Sequence, residues 1–307
     1  MFVNKTDEKL LDNVLDNNVL EADSYNIRKN GKSIDRKTNP YIDIISKEDG
    51  SGIDIYVKEN TLFGIIDIPV IITESGLTDV VYNDFHIGKN SNVIIVAGCG
   101  IHNNDKHDSV HDGIHRFYLD ENSKVKYIEK HYGSGKGKGK RILNPVTEIE
   151  MKKGSSMTMD SLQIKGVDKT LRVTKANLSE NTTLVINEKI KTYQDQYAKT
   201  DFIVTLNGEN ASCHVTSRSV ATDNSYQEFT SNIIGNTKSF AHVECDAIIQ
   251  NKASVKAIPE IYANNVEANL IHEAAIGKIA GAQLTKLMSL GLTEKEAEET
   301  IINGFLK

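Results

Sequence analysis

The chain has 307 residues, a formal net charge of −6, 39% hydrophobic and 6% aromatic residues, and no Trp. That charge leaves no basic footprint for nucleic acid, and no apolar run approaches the ~18 residues of a membrane helix. Three cysteines without a C-x-x-C pair follow an N-terminus that lacks the charged-then-apolar layout of a signal peptide, so they read as reduced thiols of a cytoplasmic protein.

Residues 7–22 are expected to form a helix with Leu10, Leu11, Val14 and Leu15 on one face. Residues 24–52 mix acidic and basic side chains and carry turn signals at Asn30-Gly31 and Asp49-Gly50. They complete a lead-in segment over 1–52. From Ile53 the pattern changes to short apolar–polar alternations. A small residue after a polar pair, followed by an alternating strand, recurs at Ser91, Ser123, Ser155, Thr182, Ala211, Ser239 and Ala253. The steps are 32, 32, 27, 29, 28 and 14 residues. One coil is then two strand–turn–strand halves, and such a unit buries its apolar face only by stacking on the next. A sandwich would instead show turns every ~8–12 residues without the long repeat. The spacing therefore predicts a mainly β chain with a solenoid core over 53–278.

The last forty or so residues leave this pattern. Ile279 to Leu290 places Leu284, Leu287 and Met288 on one helical face and stops at Gly291, and Thr293-x-x-Glu296 is a capping-box signature opening a second helix. A helical hairpin over 279–307 either covers the last coil's open edge or offers a docking surface to a partner.

The repeat also predicts a site. Cys245 lies six residues beyond Ser239, and Glu273 lies six beyond Glu267, two half-periods further on. On that spacing the two side chains stack on one face, with strands ~4.8 Å apart. His272 points the other way unless the strand bulges. A thiolate, a carboxylate and an imidazole within reach suit iron–sulfur chemistry or zinc; the plain alternative is a buried thiol beside a solvated acid. A second cluster, His102, His107, His111 and His115 interleaved with Asp105, Asp108 and Asp112, follows Cys99. His111 and His115 would share a face on a helix, but the Asn, Asp and Gly around them favour a polar loop. In Cys213-His214 one side chain faces in and the other out. Gly133 to Arg141, G-S-G-K-G-K-G-K-R, lacks the Lys followed by Ser or Thr of a phosphate loop and reads as a flexible basic loop between coils.

Cys245-Asp246, I-H-E-A-A-I-G-K-I at 271–279, L-G-L-T-E-K-E-A in the following helices and I-I-N-G-F at 301–305 resemble the end of the SufB/SufD family, the scaffolds of the SUF iron–sulfur cluster assembly machinery. Y-N-I-R-K-N-G at 25–31, G-I-D-I-Y-V at 52–57 and Gly98-Cys99 are similar to its earlier segments. The resemblance implies a right-handed parallel β-helix and a C-terminal helical domain that docks an ABC-type ATPase, SufC. It implies a transient iron–sulfur cluster held between two β-helix subunits, with Cys245 and Glu273 as SufB-type ligands and His272 as the histidine shared by SufB and SufD. Cys99 and Cys213 are further candidates for the ligand set. The short chain suggests a minimal system in which it pairs with itself, takes sulfur from a donor protein and passes clusters to apo-proteins, with ATP hydrolysis left to the partner. The rivals are a carbohydrate-active β-helix enzyme, which the lack of Trp and of an acidic pair in one repeat column disfavours, and a metal-free structural adaptor for an ATPase.

Overall fold

A computed structural model describes residues 4–15 and 21–307 of the chain. Two parallel sheets face each other across an apolar interior. In one sheet Asn92, Lys124, Ser156, Thr183, Ser212, Phe240 and Asn269 stand in register on successive strands. The chain therefore returns to this sheet after 32, 32, 27, 29, 28 and 29 residues. The second sheet is built from the strands between, such as Ser109–Leu119, Lys169–Leu178, Tyr197–Leu206, Tyr226–Gly235 and Ser254–Ala263. The architecture is a β-solenoid of about eight turns. Alternation decides which side chains fill it: along Thr183–Thr192 every second residue is buried.

The recurring small residue has a physical reason. It closes a tight turn directly before a strand and points inward. Ser123 and Thr182 are fully buried, and Ser123, Ser155 and Thr182 each donate through Oγ, at 2.7 Å, to the carbonyl three residues back. The residue before it often adopts a left-handed conformation, which Asn tolerates better than most. Asn60, Asn90, Asn122, Asn181 and Asn210 have φ between +55° and +61°. Their amides bond along the stack, Asn90 to Asn60 at 3.2 Å and Asn122 to Asn90 at 3.3 Å.

The two ends differ. At the first, strands begin at Ser24, ahead of the alternation expected from Ile53. Ser24–Lys29 pairs antiparallel with Lys32–Lys37, and Ile42–Ser46 pairs antiparallel with Gly52–Val57. These outer strands carry many charges because an end strand has only one covered side. Helix α1 (Lys5–Val14), capped by Asn4, packs Leu10, Leu11 and Val14 on the outside of the first coils. A Cβ at Gly98 would stand 2.4 Å from the Val14 carbonyl oxygen, so glycine is what lets α1 lie this close. The helix expected over 7–22 ends sooner, at Val14, with Leu15 in an extended conformation; residues 16–20 lie outside the described residues.

At the other end Ser254–Ala263 and Asn269–Gly277 are the last strands of their sheets. Beyond them stand α2 (Gly281–Ser289) and α3 (Glu294–Phe305), the latter opened by a complete Thr293–Glu296 capping box. α2 has no buried residue, and α3 buries Ala297 and Ile302. Among the described residues no helix is long and apolar enough to cross a membrane.

Candidate functional site

Cys245 sits on strand Phe240–Ile249, and His272 and Glu273 on strand Asn269–Gly277. The expected stacking of Cys245 on Glu273 does not form: Cys245 is paired with Ala274 and Glu273 with Glu244. The two halves of the last coil are unequal. Ala268, whose amide closes the turn on the Asn265 carbonyl, occupies the pre-strand place of Ser239 that the half-period assigned to Glu267. A one-residue shift exchanges the faces of a strand. His272, paired with Val243, therefore shares the inner face with Cys245, while Glu273 faces out.

Each side chain follows from its face. Cys245 is 1% exposed, and burial, followed by Glu188 and Asp246, pushes its thiol up to about 12. A bound soft cation would displace that proton. His272 is a diagonal neighbour of Cys245 across the pair of strands. Both its ring nitrogens are buried without a hydrogen-bond partner, and burial, then His242, lowers its pKa. Glu273 is exposed and stands 3.6 Å from His242 Nε2. With Glu244 it makes an acidic pair in one repeat column, which the half-period spacing concealed. Among the described residues no three Cys, His, Asp or Glu side chains are arranged to hold a metal ion. One chain thus supplies a thiol and a free imidazole on the inside of its terminal coil and a carboxylate on the outside.

The other candidates are dispersed. Cys213 is buried in the main core, with burial pushing its thiol up to about 12, and His214 points outward. His107 is exposed, and His102 bonds Ser134 Oγ at 2.9 Å and the Asn104 amide at 2.8 Å. His111 and His115 are not in a loop but on strand Ser109–Leu119, both facing inward with Gly113 between them. The Asn- and Asp-rich signal belongs to the turn just before that strand. The basic segment Gly133 to Arg141 is pinned to the preceding coil, Gly137 N–H to the Asn103 carbonyl and Gly139 N–H to the Asp105 carbonyl at 2.8 Å.

The interior also holds an ionic group that the motif reading passed over. Arg172 is 2% exposed, donates to Glu129, and lies 3.5 Å from Glu188 through Nε. Glu188 accepts from Thr200 and from Ser217, each at 2.8 Å. Tyr127 donates to Glu129 and receives His115 Nδ1 at 2.7 Å. Burial alone would raise Glu129, but Arg172, then His131 and His115, outweigh it and hold the carboxyl at about 2. The signal was available as charge at an inward phase, as in Tyr127-x-Glu129 and Arg172 before Thr174.

The fold and its terminal coil define a β-solenoid that presents donor groups at an open end rather than in a cleft. Residues 79–305 match the SUF system FeS cluster assembly SufBD core domain. The chain is 33% identical over 267 residues to an iron–sulfur cluster assembly SufBD family protein of Pyrococcus horikoshii, covering 84% of this chain and 78% of that one. It is 28% identical over 237 residues to one from Methanocaldococcus jannaschii, covering 76% and 74%. A stretch of 68 residues is 40% identical to the iron–sulfur cluster assembly protein SufB of Bacillus subtilis, covering 22% of this chain and 15% of that one. The chain belongs to the SufBD family and has its role in iron–sulfur cluster assembly.

Proposed function

We propose that this chain is the scaffold on which iron and sulfide are joined into a nascent cluster, with Cys245, His272 and Glu273 as the protein ligands. The observation that carries it is the pairing, on the inner face of the terminal coil, of a buried thiol with an imidazole whose two nitrogens have no partner. A thiolate binds iron through its softness, and an exposed carboxylate is a labile ligand suited to cargo that must leave. Because Glu273 faces away from Cys245, the set is completed by a second copy meeting the first at the terminal coils. The mostly exposed helices α2 and α3 dock a SufC-like ABC ATPase, which supplies ATP hydrolysis; a sulfur donor and apo-protein acceptors complete the cycle in the reducing cytoplasm. In this division of labour 1–52 leads in, 53–278 carries the site and 279–307 engages the ATPase.

The test is anaerobic reconstitution with ferrous iron and sulfide, with the ATPase co-expressed, followed by absorption and bound-iron assay. A cluster band in the wild type that Cys245→Ala abolishes, and His272→Ala weakens, is expected. Equal, weak iron in all three proteins would remove Cys245 as a ligand and favour a metal-free adaptor.

A further inference from the structure

Between the two sheets, under α1, lies a cavity of about 20 Å³, lined among others by Cys99, His111, Gly113, His115 and Glu129. That is room for roughly one water-sized particle. It is remote from the terminal coil in the order of strands. Its donor groups are built in: Cys99 is 3% exposed, His111 5% and His115 8%.

The imidazoles are oriented by their outer partners. His111 Nδ1 lies 3.2 Å from Asp79 Oδ2, and Arg28 clamps that carboxylate, donating from Nη2 to Oδ1 at 2.7 Å and from Nε to Oδ2 at 3.0 Å. Clamped by Arg28, Asp79 is an acceptor, so His111 Nδ1 donates to it and Nε2 is the nitrogen left toward the cavity. Tethering of one ring nitrogen by a carboxylate is how metal-binding histidines are commonly held. A Cβ placed on Gly113 would stand 3.3 Å from His111 Nε2 and 3.5 Å from His115 Nε2, so both nitrogens converge on the space that glycine leaves open. His115 Nε2 has only a 3.3 Å contact from the Asn83 amide, whose Oδ1 is buried without a partner. Turning that amide frees His115 Nε2. Cys99 faces the same cavity from the opposite sheet.

We infer that this cavity takes a single borderline-soft divalent metal ion, held by Cys99 Sγ, His111 Nε2 and His115 Nε2, at a site distinct from the one proposed for the cluster. One sulfur and two imidazole donors select zinc or ferrous iron over magnesium or calcium, which want oxygen. Because no three donors yet converge on one point among the described residues, the ion itself closes the set by rotation of the Cys99 and Asn83 side chains.

The probe is cobalt(II), which substitutes for both ions and gives a thiolate charge-transfer band. The full chain carrying Cys245→Ser, which removes the terminal thiol, is expressed with cobalt in minimal medium, desalted anaerobically and assayed for bound metal and absorption. About one cobalt per chain with the thiolate band is expected. Cys99→Ser should abolish the band and Gly113→Ala, which leaves every donor in place, should exclude the ion. Asp79→Asn should weaken retention about 10–100-fold. Near-ultraviolet circular dichroism identifies which variants are folded. A Cys245→Ser chain without cobalt, a band that persists in Cys99→Ser, or a folded Gly113→Ala chain that keeps its cobalt would each overturn the site. None of these outcomes bears on cluster assembly at Cys245, which the reconstitution assay reads separately.

Discussion

A single guanidinium holds the middle of the solenoid together electrically. Arg172 faces two carboxylates, Glu129 and Glu188, in an interior without water-facing surface. Removing one partner of a buried ionic group strands the others. Arg172→Leu is expected to destabilise the chain by about 3–5 kcal/mol, read as a lower midpoint in urea. The pH dependence has a definite sign. Glu129 is held at about 2, below its ordinary value of 4.5, so the unfolded chain binds more protons between those values. Its contribution is complete above pH ~4.5 and is lost as pH falls through ~2. In Glu129→Gln the loss of stability over that window should be shallower than in the wild type; parallel curves would show that Glu129 does not carry it. Residues such as these are legible only after the fold is known. An inward Arg in an alternating strand looks like an exception until the facing strand supplies its partners.

At the scale of the element, the turns carry the repeat. Asn122 stands at φ +55° and donates to Asn90. Asn122→Ala should cost about 1–2 kcal/mol by chemical denaturation, and Asn122→Gly distinctly less, because glycine keeps the left-handed backbone. This is also where the reading from sequence worked and where it stopped. Ser91, Ser123, Ser155, Thr182, Ala211 and Ser239 each directly precede a strand of one sheet, because only a small side chain fits the buried corner. The same rule missed Ala268, since the turn Asn265 to Ala268 adds a residue that the preceding half-coil lacks. The identity of Cys245, His272 and Glu273 as neighbours survives that error, but their faces do not. His111 and His115 were visible as a pair; their junction with Cys99 was not, because it spans two sheets whose relative placement no local spacing encodes.

For the whole molecule, the asymmetry of the ends matters most. The terminal coil leaves Ile271 and Ile276 exposed on the last strand of its sheet, with Val266 in the turn before it. On the proposed pairing, Ile276→Lys should shift the chain from dimer to monomer in sedimentation velocity and reduce reconstituted cluster, with Cys245 still in place. An unchanged sedimentation coefficient would move the interface elsewhere.

The opposite end bears on how the proposed pairing is limited. There the stack is closed by short antiparallel strands bearing Lys32, Arg36 and Lys37, which repel a further strand rather than template one. Both ends carry exposed apolar side chains, Ile34 and Ile45 at the first and Ile271 and Ile276 at the last, but at the first they stand among the charges of Lys32, Arg36 and Lys37. On the proposed pairing two copies meet tail to tail at their terminal coils, and such a contact closes on a two-fold axis. On the same proposal, the antiparallel hairpins and charges of the first coil disfavour a further parallel strand there, which works against growth of a protein made of stackable units into a filament.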